Sequence, residues 1–238
     1  MPLETLVDKA VFLGDALAAR VAEEGRRALS ARGAFTLALP GGSVATTFFP
    51  RLARMDFDWS RADFFWGDER AVPPADPESN YAVARSLWLE PARVPESRVH
   101  RMPADAADLQ AAAAAYEREL AARAGTPPRL DLILLGVGPD GHVCSLFPGH
   151  PLLAERRRWV AVVEDSPKPP PRRLTLTLPV LAAAELVVVA AVGTSKAEVV
   201  REAIADKESA LPLALVARQA RRALFLLDPE AARLVRPR

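Results

Sequence analysis

Cysteine is nearly missing from this chain: Cys144 is the only one in 238 residues, so an internal disulfide is excluded. Histidine is almost as scarce. His100, His142 and His150 with one thiol are too few for a zinc cluster. An excess of charge is lacking too, because 31 basic and 30 acidic side chains leave a formal charge of +1. Broad electrostatic capture of nucleic acid or of an anionic membrane is therefore not expected. No apolar run reaches the ~18 residues of a bilayer span, so no membrane partner is expected either. The start, Met1 to Asp15, carries acids early and no basic segment before a long apolar core. A secretory signal is not expected there, and a cytoplasmic location is. Lysine is the last shortage. Lys9, Lys168, Lys196 and Lys207 stand against 27 arginines, which draws attention to each lysine that is kept.

What is present is a core. Hydrophobic residues make up 50% of the chain and the charges nearly cancel, which excludes disorder. Residues 3–31 have the spacing of an amphipathic helix, with Leu3, Leu6, Val7, Val11, Leu17 and Val21 near one face and Gly33 placed to end it. Strand-length apolar runs follow at 34–39, 62–66, 130–135, 159–163, 174–178, 186–192 and 223–227. Helical stretches fall at 44–54 and 104–123 and begin near Ser195 and Pro229, with Ser79-Asn80 as a further cap. Strands alternating with helices predict an α/β, Rossmann-like, mainly parallel sheet with helices on both faces. With no internal repeat and no dividing linker, residues 1–238 are expected to form a single domain.

In such sheets ligands bind beyond the carboxyl ends of the strands. Seven of the 12 glycines (Gly41, Gly42, Gly67, Gly136, Gly138, Gly141 and Gly193) fall in turns after strands, beside polar residues. Leu39-Pro-Gly-Gly-Ser43 lets backbone N–H groups at a helix start meet an anion, with the Ser43 hydroxyl as a further donor. It matches neither dinucleotide-binding nor Walker spacing. Gly67-Asp-Glu-Arg70 sets Arg70 beside Asp68, where it can grip a sugar hydroxyl or a developing oxyanion. Read singly, the first is also compatible with a serine-capped tight turn and the second with a surface ion pair. Gly136-Val-Gly-Pro-Asp140-Gly-His142 is the most informative: an imidazole two residues from an acid suits a general base near neutral pH. Cys144 reads as a small buried apolar residue, and His100 and His150 as loop histidines with structural hydrogen bonds. Two basic loops complete the set, Ser166-Pro-Lys168 with Arg172-Arg173, and Gly193-Thr-Ser-Lys196. Lys196 at a helix start opposes the helix dipole unless an anion compensates.

These motifs, joined by Ser145-Leu-Phe-Pro-Gly149, resemble the 6-phosphogluconolactonase family in order and across nearly the whole chain. The resemblance implies hydrolysis of 6-phospho-D-glucono-1,5-lactone to 6-phosphogluconate, the second step of the oxidative pentose phosphate pathway, with no metal and no cofactor. It also implies a sheet related to that of glucosamine-6-phosphate deaminase. On the family pattern His142 is the base that activates water, with Asp140 beside it. Gly41, Gly42, Ser43, Arg173 and Lys196 fall on phosphate-binding positions, and Asp68 and Arg70 line the sugar site. The family arginine before Thr-Leu-Thr-Leu matches Arg173 rather than Arg172, and Lys168 belongs to a substrate-site motif with no defined role. The expected partner is a small sugar phosphate, and the protein itself a monomer or weak homo-oligomer. Two alternatives stand beside this: an amino-sugar-phosphate deaminase or isomerase, and a non-catalytic sugar-phosphate sensor. The first is disfavoured because no acid lies between Asp140 and Glu155, and the second because His142 is kept.

Overall fold

A computed structural model describes residues 3–235. The ends of the expected 1–238 domain, residues 1–2 and 236–238, lie outside the described residues. In chain order the elements are β1 (Leu3–Val7), α1 (Ala10–Arg32), β2 (Phe35–Leu39), α2 (Gly42–Leu52), β3 (Ala62–Trp66), β4 (Asp68–Arg70), α3 (Asn80–Ala84) and α4 (Leu109–Ala124). There follow β5 (Leu132–Leu135), β6 (Val160–Val163), β7 (Arg173–Leu176), α5 (Leu178–Ala183), β8 (Leu186–Ala191), α6 (Ala197–Ala205), α7 (Pro212–Gln219), β9 (Ala223–Leu227) and α8 (Pro229–Ala232). A six-stranded parallel sheet runs β1-β9-β8-β5-β2-β3, and β4-β7-β6 form a separate three-stranded sheet. Every residue of β2, β3, β5, β8 and β9 is buried, as continuous apolar runs require when helices cover both faces.

Three local readings are corrected. Leu3–Val7 is a strand and not the start of a helix; α1 begins only at Ala10, although it does end at Gly33. Leu3, Leu6 and Val7 fit a helical stripe, but β9 offers an open edge, and pairing from Leu3↔Ala223 to Val7↔Leu227 overrides the local preference. The alanine-rich helix begins at Leu109, because the Asp108 side chain accepts the N–H groups of Gln110 and Ala111 and caps it there. Asp68–Arg70 is strand β4, not a turn. It pairs antiparallel with β7, which pairs antiparallel with β6. The β6–β7 connection has no helix to carry a parallel crossover, so these two runs pair antiparallel, in a small sheet separate from the main one.

Beside β3 an ionic cluster runs from the interior to the surface, with His100 N–H donating to the Phe64 carbonyl. Asp63, inside an apolar strand, meets His100 Nε2 at 2.8 Å, and His100 Nδ1 meets Glu119 of α4 at 2.6 Å. The ring stacks on Phe65 with 4.7 Å between centroids. Burial works against the imidazolium, yet the hydrogen bonds and charges of Asp63 and Glu119 outweigh it and raise the pKa of His100. A raised folded-state pKa gives stability that is fully present below the unfolded value and is lost as pH rises through the folded one. The melting-temperature advantage of the wild type over His100→Gln is therefore expected to be largest near pH ~6 and to shrink by roughly 2–4 °C per kcal/mol lost toward alkaline pH. Melts across that range check it; a gap that widens with pH would contradict the cluster's charge state.

Candidate active site

Strands β2 and β5 are neighbours in the sheet, but their chains re-enter it on opposite sides: β2 is followed by β3 on one side, and β5, after β6 and β7 of the small sheet, by β8 on the other. A crevice opens where such connections diverge. Its walls come from the turns after β2 and β5, from β4 and β7, and from the turn after β8.

The turn after β2 supplies backbone. Gly41 precedes α2 without a side-chain cap, and Gly42 has φ +62°, so the first N–H groups of α2 reach the crevice with no side chain of the cap accepting them. Gly41 is required for a second reason: a Cβ there would stand 1.7 Å from Asn80 Oδ1. Ser43 follows on the first turn of α2, exposed in the same wall.

The turn after β5 folds back on itself, with Gly138 N–H donating to the His142 carbonyl and Gly141 N–H to the Gly138 carbonyl. This brings Asp140 Oδ1 to 2.6 Å from His142 Nδ1. A carboxylate on Nδ1 accepts its N–H and leaves Nε2 with the lone pair. Among the described residues Nε2 has no protein partner, and the ring lies in the crevice wall. Behind it Lys168 Nζ donates to Asp140 Oδ1 at 3.2 Å and lies 3.2 Å from His142 Nδ1. Burial, and then the Lys168 charge, lower the pKa of His142 against the pull of Asp140 and Asp68, so the imidazole is neutral at neutral pH. Burial tends to raise Asp140, but its hydrogen bond to His142 and the charges of His142 and Lys168 hold it below the usual range.

The small sheet adds a buried polar chain. Asp68 accepts Ser145 Oγ–H at 2.6 Å and Asn80 Nδ2–H at 3.2 Å. Asn80 is placed by Glu69, whose carboxylate accepts the N–H groups of Arg70, Asn80 and Tyr81 and the hydroxyl of Ser79. Burial still keeps the Glu69 pKa raised. Arg70 donates from Nη1 to the Glu78 carbonyl and faces the crevice. Arg173, paired with Arg70 across β4 and β7, is almost wholly buried, with its guanidinium 5.8 Å from the Phe147 ring centre. Lys196 ends the short turn after Gly193 and stands at the N-cap of α6, in the crevice wall; burial and then the Lys168 charge lower its pKa.

Gly41, Gly42, Ser43, Asp68, Arg70, His142, Arg173 and Lys196 thus share one crevice. Asp140 and Lys168 stand behind His142 rather than in the wall. Asn80, Ser145 and Glu69 are additions to the sequence reading. Asn80 is legible there only as a helix cap, and Ser145 only as part of a motif. His150 caps the turn at Pro151 and meets Asp165, which agrees with a structural role. Cys144, half-buried at φ +51°, packs against the core and also lines the crevice. Burial pushes its thiol well above the ordinary value, so it stays protonated.

Residues 8–225 match the family model of glucosamine-6-phosphate isomerases/6-phosphogluconolactonase. The chain is similar to the 6-phosphogluconolactonase of Rattus norvegicus, with 44% identity over 231 residues, 94% of this chain and 90% of the relative. Among solved structures, 6-phosphogluconolactonase from Trypanosoma brucei superposes with a TM-score of 0.87 at 29% identity, covering 99% of both chains. A monomeric glucosamine-6-phosphate deaminase shares the fold, with a TM-score of 0.82 at 21% identity over 98% of this chain and 100% of the other. Fold, motifs and relatives agree: the chain belongs to the glucosamine-6-phosphate isomerase/6-phosphogluconolactonase family.

Proposed function

We propose that this protein hydrolyses 6-phospho-D-glucono-1,5-lactone to 6-phospho-D-gluconate, with His142 as general base. The observation that carries the reading is the 2.6 Å contact between Asp140 and His142 Nδ1, which leaves Nε2 as a neutral acceptor in the crevice. A six-membered lactone is an activated ester, so water needs a base, a positioned carbonyl and donors for the oxyanion. His142 Nε2 takes a proton from water as the water oxygen attacks the carbonyl carbon, and the carbonyl electron pair moves onto its oxygen. The intermediate then breaks the bond to the ring oxygen, which receives the proton back from the imidazolium. Arg70 and Asp68 line the sugar end, and Arg70 supplies positive charge for the oxyanion. The phosphate sits at the N-terminus of α2, between the N–H groups of Gly41–Ser43, the Ser43 hydroxyl and Lys196. Anchoring it orients the carbonyl for attack. A cytoplasmic single-domain enzyme without metal or cofactor, acting as a monomer or weak homo-oligomer, completes the reading.

A coupled assay with freshly generated lactone, corrected for spontaneous opening, is expected to show enzyme-dependent release of 6-phosphogluconate. Robust ammonia release from glucosamine 6-phosphate instead would replace this assignment with the deaminase one. Within the same assay Lys196→Ala is expected to raise KM on the order of tenfold with a smaller change in kcat, since a charged hydrogen bond to phosphate is lost. Competition by 6-phosphogluconate should weaken in parallel; unchanged competition would remove Lys196 from the anion site.

A further inference from the structure

We infer that Arg173 is a positioning residue that holds the Lys168 loop against the Asp140–His142 pair, and not a ligand of the substrate phosphate. The inference rests on the general-base reading of His142 and concerns how the free enzyme builds that base.

The donors of Arg173 are already committed. Nε donates to the Pro170 carbonyl at 3.0 Å, and Nη2 donates to the Lys168 carbonyl at 2.9 Å and the Pro169 carbonyl at 3.2 Å. Nη1 donates to Ser145 Oγ at 3.4 Å and lies 3.9 Å from Asp68 Oδ2. A guanidinium carries five N–H groups, and four are spent on protein acceptors while the fifth is left with the Asp68 carboxylate nearby. The residue is 3% exposed, so an incoming phosphate would have to displace bonds that are already made. Three consecutive backbone carbonyls, those of residues 168, 169 and 170, converge on this one side chain. They belong to the loop that carries Lys168. Fixing that backbone fixes the base of the lysine stem, and the Lys168 ammonium then stands 3.2 Å from both Asp140 Oδ1 and His142 Nδ1. The charged groups facing His142 are Asp140, Lys168 and Asp68, and Lys168 alone of these opposes protonation of the ring. Arg173 therefore acts on the imidazole at one remove, by keeping that cation in place.

The test is a double-variant cycle of Lys168→Ala and Arg173→Lys, read as kcat/KM against pH. A lysine at 173 has one nitrogen and cannot span three carbonyls. Each single variant is expected to lose on the order of tenfold to a hundredfold, as for a misplaced catalytic group. In each, the acidic limb of the profile moves to higher pH by the same amount, because the cation that opposes imidazolium formation is absent or displaced. The double variant is expected to lose no more than the worse single variant. Multiplying losses with an unmoved acidic limb in Arg173→Lys would overturn the inference and return Arg173 to the anion site. If Arg173→Lys does not fold, nitrogen-resolved hydrogen exchange on the wild type decides. The Arg173 Nε–H is expected to exchange slowly without ligand and at the same rate in saturating inorganic phosphate; protection that appears only with phosphate would overturn the inference. Failure of the general-base reading itself is seen separately, as undiminished turnover in His142→Ala.

Discussion

His142→Ala is expected to lower kcat by about 10²–10⁴-fold, the usual contribution of a positioned general base, with affinity for 6-phosphogluconate nearly unchanged. The split follows from where the groups stand. The α2 N–H groups and the Lys196 ammonium, proposed to hold the phosphate, belong to other turns and survive the substitution. Only the proton acceptor is removed. The wild-type profile should carry the same signature: the rate falls as pH drops through a pKa below the ordinary histidine value, because burial and Lys168 hold the ring neutral. Steady-state kinetics beside calorimetric titration with 6-phosphogluconate check both halves. Undiminished kcat in the variant would refute the base assignment.

Gly138→Ala is the second large effect, and it touches neither proton nor substrate. A Cβ at residue 138 would lie 2.0 Å from His142 Nδ1 and 2.4 Å from Asp140 Oδ1. Both are inside van der Waals contact, and both belong to groups bonded to each other, so neither can give without breaking the pair. The imidazole must swing out, and a group moved by an ångström or more from its productive position loses on the order of a hundredfold in rate. Loss of kcat with KM and far-ultraviolet dichroism nearly unchanged is the expected outcome. Wild-type turnover would mean that Asp140 and His142 do not act as a unit.

How far these groups could be read from the chain differs from place to place, for physical reasons. The turns after β2 and β5 are legible because a buried apolar run stops at glycines followed by polar residues. That contrast is local, and Asp140 and His142 lie only two residues apart. Strand β4 is not legible. Asp68, Glu69 and Arg70 look like a solvated turn, and they form a strand only because β7, about a hundred residues on, pairs with them. Asn80 and Glu69 are hidden for the same reason, since their roles exist only through contacts with Asp68 and with each other across a loop. Lys168 shows as an isolated cation in a lysine-poor chain, but its place beside Asp140 depends on where Arg173 holds the loop. Leu3–Val7 reads only as the start of a helix, because the edge of β9 that makes it a strand lies more than two hundred residues away in the chain.

The pairing of β2 with β5, Leu37 opposite Leu132 and Ala38 opposite Ile133, has a metric consequence. The turn proposed to seize the phosphate hangs from one of these strands and the turn that carries the imidazole from the other. Sliding one strand by a single residue would shift its turn by about 3.3 Å, more than twice a carbon–carbon bond. On the proposed function the sheet is thus a vernier: the alignment of two neighbouring backbones sets the span between phosphate and carbonyl that the crevice accepts.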